Sequence, residues 1–276
     1  MPTLPASPPE IAAEIAPEVP PEFRPDVIIH DEIASTNAEA MRLAASGASG
    51  PTWIVARRQT AGRGRAGRGW ASEPGNLYAS LMTRVDCDVS TAQQVSLLAG
   101  VAAFDAIAAA VGPAATIPGL RLKWPNDVLI GRAKLAGILP ESMVAADGHL
   151  RIVVGIGLNL ASHPSDLGRE ATHLGEHSLD MAPESMLRHV AWSMQHWLAA
   201  WNSGAGFGLV REAWLERAGR IGEPVAVNTE GGRRDGRFSG LDADGAMLLS
   251  QADGNLERVT FGDVALLAQA TDEGRG

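Results

Sequence analysis

Residues Gln59 to Trp70 read Gln-Thr-Ala-Gly-Arg-Gly-Arg-Ala-Gly-Arg-Gly-Trp, and Gly62 to Gly69 hold four glycines and three arginines. No packed helix or strand asks for that composition. Glycine at near-alternate positions costs backbone order and lets the main chain approach a ligand closely. The arginines between them are rigid forks of donors matched to phosphate or carboxylate. In a chain of formal charge −9, this local cluster of positive charge reads as an anion-binding loop for nucleotide phosphate. The plainer alternative is a solvated Arg-Gly linker. Gly62, Gly64 and Gly67 also spell G-x-G-x-x-G, but a dinucleotide fingerprint needs those glycines to open a helix directly after a strand. A strand precedes, at residues 52–56. Gly69, Pro74 and Gly75 follow, and no helix interior accepts them. A kinase glycine loop needs His-Arg-Asp and Asp-Phe-Gly signatures downstream, and the chain has neither. The loop excludes both of those folds.

With 276 residues, 45% of them hydrophobic, the chain can bury one good core and a small second one. Its acidic balance argues against general nucleic-acid binding. The single cysteine, Cys87, rules out an intrachain disulfide and a thiolate metal cage, which fits a reducing cytoplasm. Its neighbours Asp86 and Asp88 disfavour a thiolate, so it reads as structural. No run approaches the roughly 18 apolar residues of a membrane span, and the N-terminus lacks a signal-peptide pattern. Residues 1–25 hold eight prolines and are expected to form a disordered or extended leader. That leader is too short and proline-broken for a helix-turn-helix domain.

The folded part is expected to begin near Asp26, with a strand at 27–30. Ser35 or Thr36 then caps a helix that Gly47 ends. Strands at 52–56 and 77–85 bracket the Gly-Arg loop. Ser90-Thr91-Ala92-Gln93 resembles a capping box and opens an alanine-rich helix to Val111, stopped by Gly112-Pro113. Strands follow at 120–124, 128–130, 133–141 and 151–160, with a turn at Pro125-Asn126-Asp127 and a hairpin signal at Asp147-Gly148. Strands wrapped by helices indicate an α+β domain. An amphipathic helix spans 183–201, where Leu187, Val190, Met194, Trp197, Leu198 and Trp201 recur at helical spacing and read as packing. His173 and His177 lie four apart, with His189 and His196 beyond. None sits in a helical H-E-x-x-H setting, so no metal site is expected. From Gly222, short strands at 225–228, 233–241, 246–250 and 257–261, separated by glycine turns, suggest a small β-barrel. It reads as a structural or partner-docking module.

Several motifs then line up along the chain: Ser35-Thr36-Asn37, Gln59 to Trp70, Gly75-Asn76-Leu77-Tyr78, Lys123-Trp124-Pro125-Asn126-Asp127, Lys134 to Leu139, and Gly155-Ile156-Gly157-Leu158-Asn159. In these residues the chain resembles the biotin protein ligases, or biotin–[acetyl-CoA-carboxylase] ligases, over about residues 27–270. It resembles the monofunctional type, because only the proline-rich leader stands where other members carry a DNA-binding domain. No operator DNA binding is expected.

The resemblance implies an α+β catalytic domain related to class II aminoacyl-tRNA synthetases, with a mixed sheet and flanking helices, over 26–220. An SH3-like β-barrel over 221–276 is implied to follow. It also implies two steps. Biotin and MgATP give biotinyl-5′-AMP and pyrophosphate, and a lysine of the biotin carboxyl carrier protein then attacks the mixed anhydride. ATP, Mg2+ and biotin are substrates, with no permanently bound cofactor and no structural metal. Family precedent permits monomers and homodimers.

Charge accumulates on the departing pyrophosphate, so electrostatic stabilisation should dominate. Arg63, Arg65 and Arg68 are assigned to phosphate and carboxylate oxygens, with the loop closing over the adenylate to exclude water. Lys134 matches the family's active-site lysine and is expected to bridge carboxylate and α-phosphate. Asp127 is expected to orient or help deprotonate the incoming lysine, while Asn126 fixes the turn or reaches the nucleotide. Ser35, Thr36, Asn37 and Gln59 supply polar partners for the ureido ring, with Gly62, Arg63, Gly64, Arg65, Lys134 and Gly137 completing the biotin site. Trp70 and Asn159 join Arg63, Arg65, Arg68, Asn126 and Lys134 at the adenylate. Trp70 and Trp53 are candidate pocket walls, Trp53 reading better as core. A lipoate-protein ligase is the alternative activity, and a nucleic-acid binder using the Arg-Gly loop the alternative class.

Overall fold

Alternating and continuous apolar runs set seven strands of one sheet, in the order β1-β2-β3-β7-β6-β5-β4. They are β1 (Asp26–Ile33), β2 (Thr52–Gln59), β3 (Leu77–Val85), β4 (Leu120–Lys123), β5 (Asp127–Ile130), β6 (Ala133–Val144) and β7 (Leu150–Leu158). β1 and β2 are parallel and every other neighbouring pair is antiparallel, so the sheet is mixed as expected. The structure is a computed structural model that describes residues 25–267 except 49, 113–115, 166–169 and 230. The leader expected at 1–25 therefore lies almost wholly outside the described residues.

The parallel β1–β2 pair needs a crossover, and helix α1 (Thr36–Ala45) supplies it. Ser35 is its N-cap: its backbone is extended and its Oγ accepts from the Ala38 N–H at 3.4 Å. Gly47, at φ +95°, lies just beyond its end. Ala40 and Ala44 of α1 pack on Ile54, Met82 and Val153, forming a small core on one face of the sheet. The opposite face carries the main core, under α3 (Val95–Val111), α4 (Pro183–Trp201) and α5 (Phe207–Arg217). Leu98, Val101, Ile107, Val190 and Met194 are all fully buried there. α1 covers one part of its face, over β2, β3 and β7, leaving room beside it for a cavity.

Two readings of the α3 region are corrected. The expected capping box at Ser90 is not the helix start. Asp88 caps a short α2 (Val89–Ala92), its Oδ1 accepting from the Thr91 N–H at 2.7 Å, and Ser90 donates its hydroxyl to the same oxygen. A carboxylate at the cap suits the helix dipole better than a hydroxyl. The chain then breaks at Gln93-Gln94 before α3. In addition, the 23-residue stretch Val89–Val111 is long and apolar enough to cross a membrane by length and composition. It is apolar nearly all round because helices and sheet pack on several of its sides.

The C-terminal residues form a five-stranded antiparallel sheet, ordered β11-β10-β9-β8-β12. Its strands are β8 (Pro224–Thr229), β9 (Gly232–Leu241), β10 (Met247–Ser250), β11 (Leu256–Val259) and β12 (Asp263–Leu266). β12 was not expected; it is too short and mixed to show a period. Arg121 joins the sheets through an ion pair in which its Nη1 donates to both Glu223 carboxylate oxygens, at 2.8 and 2.9 Å, with both side chains largely buried. The Trp124 Nε1–H donates to the Gly245 carbonyl at 3.2 Å.

Candidate active site

A bulge in β6 builds the centre of the site. Val128 pairs with Ala136 and Leu129 with Lys134, which leaves Leu135 as an extra residue. Side chains alternate along a strand, so residues 134 and 137 would ordinarily face opposite ways. The extra residue brings Lys134 onto the face of Gly137, which lies directly opposite Asp127 on β5. A Cβ at Gly137 would meet Lys134 Nζ at 3.0 Å and Trp70 at 2.8 Å.

Asp127 is buried, and its two oxygens are divided between two lysines. Oδ2 pairs with Lys123 Nζ at 2.8 Å, and Oδ1 accepts a short bond from Lys134 Nζ. Burial pushes the carboxyl up, but the two ammonium groups outweigh it and hold Asp127 at about 2. The Lys134 ammonium also lies 5.4 Å from the centre of the Trp70 ring. Two cations around one carboxylate leave one net positive charge aimed into a cavity of about 660 Å3.

At one end of the cavity stands a polar network. Thr36 donates to Gln59 Oε1 from its backbone N–H at 2.9 Å and from its hydroxyl at 3.2 Å. Asn37 Nδ2 donates to the Leu139 carbonyl and to Glu141, and its Oδ1 accepts from the Ser80 hydroxyl at 2.6 Å. A Cβ at Gly155 would lie 2.2 Å from Asn37 Oδ1, so glycine there admits the amide. Leu129, Ile138, Leu139 and Ile156 supply apolar wall. Such a mixture suits a ligand with a polar head and an aliphatic body.

Along the cavity from that network lies the Gly-Arg loop, with Arg65, Ala66 and Gly67 forming a tight turn. Arg63 pairs with Glu141 at 3.0 Å, and Arg68 with Asp263 of β12 at 2.8 Å. Arg65 stacks 5.1 Å from the centre of Phe261 and donates to Asn126 Oδ1 and the Gly262 carbonyl. Burial lowers its pKa from an ordinary 12.5, which still leaves a cation. The Arg63 and Arg68 pairs are half-exposed and worth little, about 0–1 kcal/mol each. An anionic ligand could therefore take their place.

Residues 31–159 match the Biotin/lipoate A/B protein ligase family and residues 221–267 the Biotin protein ligase C terminal domain. A biotin–[acetyl-CoA-carboxylase] ligase of Paracoccus denitrificans is 42% identical over 221 residues, which span 78% of this chain and 90% of that one. The chain belongs to the biotin protein ligase family. The bifunctional ligase/repressor BirA of Bacillus subtilis is 33% identical over 247 residues, spanning 87% of this chain and 74% of the relative. Among solved structures, the biotin protein ligase of Aquifex aeolicus in complex with biotin and ATP superposes with a TM-score of 0.71 at 27% identity. The match covers 88% of this chain and 99% of that one.

Most of the residues that the family resemblance singled out come together. Ser35, Thr36, Asn37, Gln59, Arg63, Gly64, Arg65, Arg68, Trp70, Asn126, Asp127, Lys134 and Gly137 all line the one cavity. Two do not. Gly62 stands behind the loop, where a Cβ would lie 2.5 Å from the Trp70 carbonyl. Asn159 is buried beside the cavity and donates to the Thr172 carbonyl at 3.0 Å. Asn126 fixes its turn, donating to the Ile138 carbonyl at 2.6 Å, while also holding Arg65. Trp53 is core, at 1% exposure.

Sequence alone assigns no site role to Lys123, Glu141, Gly155, Gly157 or Asp263. Lys123, Gly155 and Gly157 do lie within the family motifs, and the i,i+4 spacing of Lys123 from Asp127 is a usable signal. Asp263 carried none, because it lies 195 residues from its partner Arg68. The C-terminal module is also more than structural. Asn228, Asp263, Val264, Ala265 and Leu266 line the cavity, and Lys123 Nζ donates to the Val264 carbonyl at 2.9 Å.

Proposed function

We propose that the chain is an ATP-dependent biotin protein ligase that forms biotinyl-5′-AMP and transfers the biotinyl group to a lysine of a carboxylase carrier domain, namely the biotin carboxyl carrier protein. The observation that carries this reading is the placement of Lys134, Asp127 and Lys123 between a small polar network and an arginine loop, within one cavity. Thr36, Asn37 and Gln59 take the ureido head. The apolar wall takes the ring and valeryl chain, which brings the carboxylate to Lys134. Arg65 and Arg68 take the phosphates, and Trp70 walls the adenylate.

Lys134 acts as a point charge between carboxylate and α-phosphate, offsetting repulsion between two anions as the bond forms. Mg2+ enters with ATP, since Asp127 is already engaged by two lysines. In the second step Asp127 orients the acceptor amine. An acid held at about 2 is too weak a base to be the main proton acceptor from an alkylammonium. Asp127→Asn is expected to slow transfer more than adenylation in single-turnover measurements. Equal losses in both steps would remove the orienting role.

The division at 26–220 and 221–276, the kinship to class II aminoacyl-tRNA synthetases and the SH3-like character of the C-terminal barrel belong to the same proposal. So does a reducing, cytoplasmic setting, supported by the lone Cys87 thiol, whose pKa burial and the neighbouring Asp88 and Asp86 raise.

The test is ATP-dependent incorporation of labelled biotin into an apo biotin carboxyl carrier domain, with lipoate as competitor and Lys134→Met as control. Biotin is expected to transfer and lipoate not. Lys134→Met is expected to lower biotin-dependent pyrophosphate exchange at least a hundredfold, on the scale of losing one transition-state contact. Preferential lipoate transfer would move the chain to the lipoate ligases.

A further inference from the structure

Outside the catalytic cavity, three side chains of metal-ligating type converge: His173 and Glu176, three residues apart, and His163, ten residues before His173. His163 lies in the chain leaving β7. His173 precedes a 3-10 turn (Leu174–His177) that carries Glu176. His163 Nδ1 and His173 Nδ1 are 2.9 Å apart, and Glu176 Oε2 lies 3.9 and 3.8 Å from them. None of the three lines the catalytic cavity.

We propose that His163, His173 and Glu176 form a binding site for a divalent transition-metal ion of the zinc class, with one coordination position left open. Ligands on a tetrahedral ion with bonds of about 2.0–2.1 Å stand roughly 3.3–3.5 Å apart. The observed edges straddle that value, so small side-chain rotations bring all three atoms onto one ion. Two imidazoles with one carboxylate select zinc-class ions over magnesium or calcium, which take oxygen donors. Without an ion, the facing Nδ1 atoms must share a single proton; an ion replaces it and engages both lone pairs.

The surroundings support the ligands. Thr172, 4% exposed, donates its only hydroxyl proton to Glu176 Oε2 at 2.7 Å. His177 Nε2, 2.9 Å from that hydroxyl, must then be the donor to it. Carboxylate ligands are typically oriented by such outer hydrogen bonds. Gly175 leaves room for the His173 ring, since a Cβ there would stand 3.1 Å from its Cδ2. The site also connects to the catalytic strand. Lys134 N–H donates to the Glu170 carbonyl, and Thr172 N–H donates to the Lys134 carbonyl. A metal clip would thus hold the segment that brackets the backbone of Lys134.

The test uses the full chain, stripped with chelator and titrated with Co2+ and then Zn2+. One equivalent of Co2+ is expected to give the visible absorption of a tetrahedral site, and zinc to displace it and raise Tm. His163→Ala, His173→Ala and Glu176→Gln are each expected to weaken zinc binding at least tenfold, since even outer-shell changes cost 10- to 100-fold. His196→Ala is expected to leave it unchanged. Glu176→Gln changes a half-exposed, isosteric side chain, so it keeps the test decisive if a histidine variant misfolds. Absence of stoichiometric binding, or binding retained in the Glu176→Gln and His163→Ala proteins, would overturn the site. Biotin transfer is not the readout, so the outcome is independent of the proposed activity.

Discussion

Asp127 holds a negative charge between Lys123 and Lys134, and that arrangement makes it a stability element as well as a site residue. Its folded value of about 2 lies below the ordinary 3.8. A depressed carboxyl stabilises the fold above its unfolded value, and that stabilisation is lost as pH falls from about 4 through 2. The difference corresponds to about 2 kcal/mol at neutral pH. Asp127→Asn is expected to lower the unfolding free energy by about that amount at pH 7, with the gap from wild type closing towards pH 2. Chemical denaturation across pH measures it, and a gap independent of pH would assign the loss to packing. The residue types were legible in the Lys-Trp-Pro-Asn-Asp motif. The charge partition was not, because Lys134 reaches Asp127 only through strand pairing.

At the scale of elements, the β6 bulge and two glycines decide where Lys134 and Trp70 sit. Gly137 and Gly157 are cross-strand partners, and Cβ atoms there would stand 2.8 and 2.5 Å from the Trp70 ring. Gly157→Val therefore has to displace the indole. Overpacking of this kind costs about 1–3 kcal/mol. Titration calorimetry is expected to show biotin affinity at least tenfold weaker while circular dichroism stays unchanged. Unaltered affinity would detach Trp70 from the pocket. Most strands and α4 were readable from apolar period and glycine turns, since each is specified by neighbours in the chain. The α2 cap was misread because two acceptors, Asp88 and Ser90, competed within two residues. β12 was missed because four residues carry no period.

At the scale of the whole molecule, the C-terminal sheet seats the Gly-Arg loop. Arg65 rests on Phe261 and Arg68 pairs with Asp263, so a segment near residue 65 is held by one near residue 262. Removing the aromatic ring should free Arg65 without touching the core, because Phe261 is 59% exposed. An exposed cation–π contact is worth about 0.5–1 kcal/mol. Phe261→Ala is expected to raise the rate of adenylate release about two- to fivefold with little change in Tm, followed by single-turnover release assays. An unchanged release rate would leave the C-terminal sheet with no part in holding the loop.

Sequence alone determined most of the elements, the α+β class with its small C-terminal β unit, and the family, since period, turn chemistry and short motifs all act within a few residues; it did not show the helix Phe207–Arg217 or β12. Local sequence also pointed to the proposed chemistry, because arginines set between glycines offer donors matched to an anion. Tertiary structure decided which residues meet: Lys134 with Asp127, the seating of Arg68 on Asp263, the placing of Asn159 with Trp70 and Lys134 on a small adjoining cavity, and the convergence of His163 with His173 and Glu176. Each of these depends on strand register, on a single-residue bulge or on packing between distant segments. Those are set by the global minimum of burial and pairing, not by any one stretch of the chain.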